Sequence, residues 1–66
     1  MKKWYVFDEF DCFDHCDTAE EAAVVARELV ENDFTRVEIR HFTLAEFMAY
    51  CQGGDRELNR LRSEAK

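Results

Sequence analysis

Thr35–Cys51 reads TRVEIRHFTLAEFMAYC, and the period of its apolar residues changes midway. Val37, Ile39 and His41 alternate with Arg36, Glu38 and Arg40, the two-residue repeat of a half-buried strand. After Phe42 the repeat becomes helical. Thr43-Leu44-Ala45-Glu46 is a capping box, in which Thr and Glu side chains satisfy the first free amides of a helix. Leu44, Phe47, Met48 and Cys51 follow at i, i+3, i+4 and i+7, which predicts the buried stripe of that helix. Gly53-Gly54 stops it. Asp55 can cap a last short helix with Leu58, Leu61 and Ala65 turned inward.

Working back toward the N-terminus, Thr18-Ala19-Glu20-Glu21 is a second capping box. It opens a helix to about Asn32, where Asn32-Asp33 ends it. Ala19, Ala22, Ala23, Ala26, Leu29 and Val30 predict its buried stripe. Lys3 to Phe7 is aromatic and β-branched and reads as a strand, with Trp4 and Val6 on one side and Lys3, Tyr5 and Phe7 on the other. Cys12 to Cys16 returns as a second strand of a hairpin. Asp14 and His15 are poor strand formers, so a loop is the alternative across residues 9–17. The order is β-β-α-β-α. It predicts an α+β fold, a three-stranded antiparallel sheet with two helices packed on one face.

Sixty-six residues make one domain, residues 1–66, with a modest core. Hydrophobic content of 47%, with 14% aromatics, argues against disorder. No apolar run approaches a signal sequence or a membrane span, so a soluble, cytosolic chain is expected. Three cysteines are an odd number and read as reduced thiols rather than a disulfide framework. A monomer is expected over a dimer.

Charge is distributed unevenly. Residues 8–33 carry ten acids and one base, Arg27, for a formal −9, against −6 for the whole chain. Crowded like charges destabilise a compact state. They also repel phosphates, which argues against direct nucleic-acid binding. A basic protein surface or a cation is the expected counterpart.

The chemistry available to that block is restricted. Cys12, His15 and Cys16 form C-x-x-H-C, but a zinc site needs a second pair of ligands. Only His41 and Cys51 remain for it, and both lie on predicted apolar faces. Small buried cysteines and a solvated His15 are the plainer reading, with His41 a core or sheet-end histidine. An EF-hand needs acids at alternate positions and a Gly at the sixth, whereas these acids recur every third residue. No phosphate loop or nucleophile–base pair is positioned, so no catalytic residue, metal or cofactor is expected. The remaining reading is a contact surface. Asp8, Glu9, Asp11, Asp14, Asp17, Glu20, Glu21, Glu28 and Glu31 are the candidate partner-binding residues. A turn near 9–11 is expected to gather most of them beside the N-terminus of the first helix. The capping boxes give Glu20 and Glu21 structural work, leaving Asp8, Glu9, Asp11, Asp14 and Asp17 as the sharper contact set. Carboxylates two apart on a strand or four apart on a helix lie about 6–7 Å from one another, comparable to phosphates along a DNA strand.

Small size, the acidic block from Asp8 to Glu21, short Cys-, Met- and aromatic-rich elements without linkers, and no catalytic motif together resemble the small acidic anti-CRISPR proteins of phages and mobile elements. Inhibitors of type I surveillance complexes, type I-C among them, are the nearest in kind. The resemblance implies a non-enzymatic inhibitor that mimics DNA and acts in the host bacterial cytoplasm. It would block a basic, DNA-binding groove, such as the one on the PAM-reading subunit. It also implies that Arg56, Arg60 and Arg62 lie away from the acidic patch. The alternative is a regulatory adaptor or antitoxin-like protein that binds through an aromatic face of Trp4, Tyr5, Phe7, Phe10 and Phe13.

Overall fold

The computed structural model describes residues 1–64. Its elements are β1 (Lys3–Phe7), β2 (Cys12–Cys16), α1 (Ala19–Glu31), β3 (Glu38–Phe42) and α2 (Leu44–Glu64). The strands form one antiparallel sheet in the order β2-β1-β3. Class, strand number, pairing and element order all match the sequence reading, and residues 12–16 are strand rather than loop.

The helices do not share a face. Trp4 and Val6 point to one side of β1, where Cys16, Ala22, Leu29, Val25 and Phe34 complete a core under α1. Tyr5 and Phe7 point to the other, where Phe42, Phe47, Tyr50 and Leu58 complete a second core under α2. The cause is in β1 itself, where every residue from Trp4 to Phe7 is apolar or aromatic, whichever side it faces. A strand with two apolar faces needs both covered.

The second capping box forms in full, and the first in half, with Thr18 as the N-cap but no return bond from the Glu21 carboxylate among the described residues. The Glu21 amide donates to Thr18 Oγ1 at 3.2 Å. At α2 the exchange is reciprocal: the Glu46 amide donates to Thr43 Oγ1 at 3.2 Å, and the Thr43 amide to Glu46 Oε1 at 2.9 Å. The end of α1 closes as predicted, in a Schellman motif. The Phe34 amide donates to the Leu29 carbonyl and the Asp33 amide to the Val30 carbonyl. Asp33 takes the left-handed turn position, φ +68°.

The buried stripes are rotated from those predicted. In α1 the inward residues are Ala22, Val25, Ala26 and Leu29; Ala19, Ala23 and Val30 are exposed. So much of α1 is apolar that two adjacent stripes satisfy the same spacing, and packing against Trp4 and Val6 selects the one that contains Val25. In α2, Phe47 and Tyr50 face the sheet, while Leu44, Met48 and Cys51 are exposed. Aromatic stacking decides the rotation: the Phe47 ring lies 4.2 Å from that of Tyr5, and Tyr50 meets Phe7 edge-on at 5.1 Å.

Residues Gly53 and Gly54 leave helical geometry and break α2 into two arms, 44–52 and 55–64. The arms fold back on each other, because Arg62 Nε donates to Glu46 Oε2 at 3.1 Å. Sixteen residues along a straight helix would hold them about 24 Å apart. Leu58 on the second arm is fully buried, and Leu61 is half-buried. Ala65, also expected inward, lies outside the described residues.

Glu46 therefore ties the cap of α2 to its second arm. The Thr43 amide, then the Arg62 guanidinium, hold its carboxyl below the usual carboxylate range against the opposing effect of burial. A carboxyl lowered on folding stabilises the fold above its unfolded pKa, and that contribution disappears as pH falls through the folded value. Thermal melts of Glu46→Gln should thus sit below those of the parent protein at pH 7 and converge with them as pH falls below about 4. A constant gap across that range would contradict this role.

Candidate surface for a basic partner

The acidic block maps onto contiguous structure, since residues 8–33 are the β1–β2 turn, edge strand β2 and helix α1. Its charge is not neutralised within the molecule. Among the described residues, ion pairs engage Asp17 with Lys3, Glu38 and Asp55 with Arg40, Glu57 and Glu64 with Arg60, and Glu46 with Arg62. The carboxylates outside these pairs are Asp8, Glu9, Asp11, Asp14, Glu20, Glu21, Glu28, Glu31 and Asp33. Every one lies in residues 8–33. Arg40, Arg60 and Arg62 are held by acids of β3 and α2, Arg60 by Glu57 and Glu64 on the same arm. Arg56, Arg60 and Arg62 belong to α2, which packs on the face of the sheet opposite α1.

The arrangement differs from the expected one. The β1–β2 turn does not lie beside the N-terminus of α1. Strand β2 carries the chain to the far end of the sheet before α1 begins, and α1 runs back. Its C-terminal end then meets the turn, where the Thr35 amide donates to Glu9 Oε1 at 3.2 Å. The acids therefore fall into a group at the turn (Asp8, Glu9, Asp11), a group at the other end (Asp17, Glu20, Glu21), and Glu28 and Glu31 along the returning helix. Asp14 lies between, on β2.

The five residues expected to be free of structural work all have some. Asp8 Oδ1 accepts from the Phe10 and Asp11 amides at 2.8 and 3.0 Å and holds the turn. Asp11 and Asp14 each accept from the next amide, those of Cys12 and His15, at 2.8 Å. Glu9 fixes the turn to Thr35, and Asp17 pairs with Lys3 at 3.4 Å. Short acidic side chains compete for nearby backbone amides, and this follows from their length. The exposed helical carboxylates Glu20, Glu21, Glu28 and Glu31 carry no such bond among the described residues and are the freer contact groups, so the structural work expected of Glu20 and Glu21 is not seen in their side chains.

At the turn, Asp8, Glu9, Asp11 and Glu38 line an open pocket of about 450 Å3 with Phe7, Phe10, Tyr50 and one cation, Arg36. Arg36 is left-handed, φ +54°, on the loop that leads into β3. Glu38 and Arg36 were not among the expected contact residues. Their approach to the turn depends on β3 pairing with β1, with Glu38 opposite Phe7, which no local pattern announces. The Tyr50 hydroxyl donates to Glu38, and that bond, with burial, pushes the phenol up to about 12.

Cys12, His15 and Cys16 do not converge. A bulge opposite Val6 and Phe7 inserts Phe13 into β2, so Cys12 joins the α2 core and Cys16 the α1 core. A regular strand would have put both on one side. Among the described residues, no three His, Cys, Asp or Glu side chains are grouped as a metal ion would need. Burial, with smaller contributions from Cys51 and Asp11, pushes the Cys12 thiol up to about 11, which disfavours the nucleophilic thiolate. His41 is exposed and stacks on Trp4 at 4.1 Å, a sheet-end residue rather than a core one. The aromatic face divides as well: Tyr5 and Phe7 are core, and only Phe10, 80% exposed, and Phe13 stand out.

No family model, curated protein or solved structure matches the chain. Among the described residues, no helix is long and apolar enough to cross a membrane.

Proposed function

We propose that this chain is a non-enzymatic inhibitor whose acidic surface occupies a basic, DNA-binding protein groove. The observation that carries the reading is the segregation of charge: among the described residues, every carboxylate outside an ion pair lies on the turn, β2 and α1 or at the end of α1, while Arg60 and Arg62 of α2 are neutralised locally. Such crowding works against the stability of a small domain. Burying it against a basic groove would relieve the repulsion and speed encounter. The resemblance to small acidic anti-CRISPR proteins supplies the partner class, a type I surveillance complex. Its PAM-reading subunit offers a groove built for phosphates.

Glu20, Glu28 and Glu31 separate binding from folding, because they hold no backbone amide. The triple variant Glu20→Lys, Glu28→Lys, Glu31→Lys should keep the far-UV circular dichroism of the parent. Its inhibition of target-DNA binding by a purified type I complex should weaken by at least about threefold, given about 0.2–1 kcal/mol for each of the three exposed charge pairs lost. Parent inhibition should itself decline with added salt. A folded triple variant that inhibits at full strength defeats the proposal. The adaptor reading is favoured only by the exposure of Phe10 and Phe13. It predicts the opposite pattern, with loss of partner binding on Phe10→Ser and Phe13→Ser.

A further inference from the structure

The sheet has two edges, and they are not alike. Edge strand β2 carries the devices that discourage strand addition: a bulge, and Asp11 and Asp14 side chains folded onto amides of its own backbone. Edge strand β3 has no bulge, pairs in unbroken register with β1, and among the described residues has no strand on its other side. Beside it, on the α1 face, an apolar groove of about 550 Å3 is lined by Ala23, Ala26, Val30, Val37 and Ile39 with Arg27 and Glu38. Val30 and Ile39 are both exposed.

We propose that β3 pairs antiparallel with β3 of a second copy, centred on Ile39, to make a continuous six-stranded sheet. Symmetry restricts the register. A two-fold dimer of antiparallel edges must place some β3 residue opposite itself. Centring on Glu38 puts two carboxylates face to face, and centring on Arg40 puts two guanidinium groups face to face, both unfavourable. Centring on Ile39 sets Glu38 opposite Arg40 of the second copy, twice, and Ile39 opposite its own equivalent. This is the one central register that is charge-complementary. It also brings Ile39 of each copy to the apolar groove of the other. The dimer departs from the monomer expected from sequence, where nothing indicates that β3 ends the sheet.

Sedimentation of the full chain at about 0.15 M salt tests this directly. The parent should sediment as a dimer that dissociates on dilution. Ile39→Asp places two carboxylates at the axis and should leave a folded monomer, with the dimer weakened at least about tenfold. Ile39→Cys should form a disulfide between residues 39 of two copies on oxidation, identified by mass spectrometry of the linked peptide. Three results each overturn the proposal: a parent that stays monomeric up to about 1 mM, a dimer that survives Ile39→Asp, or oxidised Ile39→Cys linked only to Cys12, Cys16 or Cys51.

Discussion

Leu58→Ala should lower the melting temperature by about 10–30 °C. Leu58 is fully buried, and it lies on the arm of α2 that the chain reaches last. Its neighbours in the core are Tyr5, Phe7 and Phe42, so its side chain is the apolar anchor of that arm on the sheet, beside the Arg40–Asp55 ion pair. Removing it costs the transfer energy of the lost carbons and leaves a cavity beneath β1, about 2–5 kcal/mol together. A domain of this size has only about 3–10 kcal/mol in all. The two cores share one strand, because alternate residues of β1 feed opposite faces. Loss on the α2 side should therefore reach the α1 side, where Trp4 reports it. Trp4 fluorescence and far-UV circular dichroism are expected to fall together in one transition. Leu61→Ala, half-buried on the same arm, serves as the control and should cost less than about half as much. A Leu58→Ala protein that loses helix content first, with Trp4 unchanged, would mean that the arm is a separable appendage and the cores are independent.

Local chemistry made most of the fold readable. The capping boxes at Thr18 and Thr43, the Asn32-Asp33 end of α1 and the Gly53-Gly54 break each place a boundary through bonds between near neighbours. Side-chain alternation in β1 assigned Trp4 and Val6 to one side and Tyr5 and Phe7 to the other. What it did not convey is that both sides are covered. That follows from comparing the two sides, since neither set contains a charged residue between positions 4 and 7. The bulge at Phe13 and the rotation of both helical stripes depend on contacts between elements distant in sequence, and no local period encodes them. The candidate surface shows the same division. Its charge was plain from composition alone. Which carboxylates are free was not, because the acids of the β1–β2 turn fold onto backbone amides whereas those of α1 hold none among the described residues. The most crowded residues, Asp8 to Asp17, thus became the most structurally engaged, and the free contact groups moved to α1.

Replacing Gly54 by L-alanine should cost about 1–3 kcal/mol, although there is space for the methyl group. A Cβ there meets no atom within 4 Å, so the penalty is conformational. Gly54 has φ +65° and ψ −152°, a region that residues with an L side chain scarcely populate. Asparagine, which tolerates the left-handed helical region, gains nothing at this ψ. The adjacent Gly53 differs: its φ is negative, but an added Cβ would lie 2.8 Å from Glu57 Cβ, so its cost is steric. The two origins can be separated by chirality. Reflection turns the Gly54 angles into φ −65° and ψ +152°, the polyproline region that L residues favour. A D-alanine at position 54 is therefore in its own preferred conformation, and it also restricts the unfolded chain. Total synthesis of a 66-residue chain with each enantiomer gives a direct comparison. The protein with D-alanine in place of Gly54 should melt at or above the parent, and the one with L-alanine well below it. The turn at Gly54 is what brings Arg62 back to Glu46 and Leu58 onto the sheet. Equal melting temperatures for the two enantiomers would show that the arms can reverse direction without this backbone geometry.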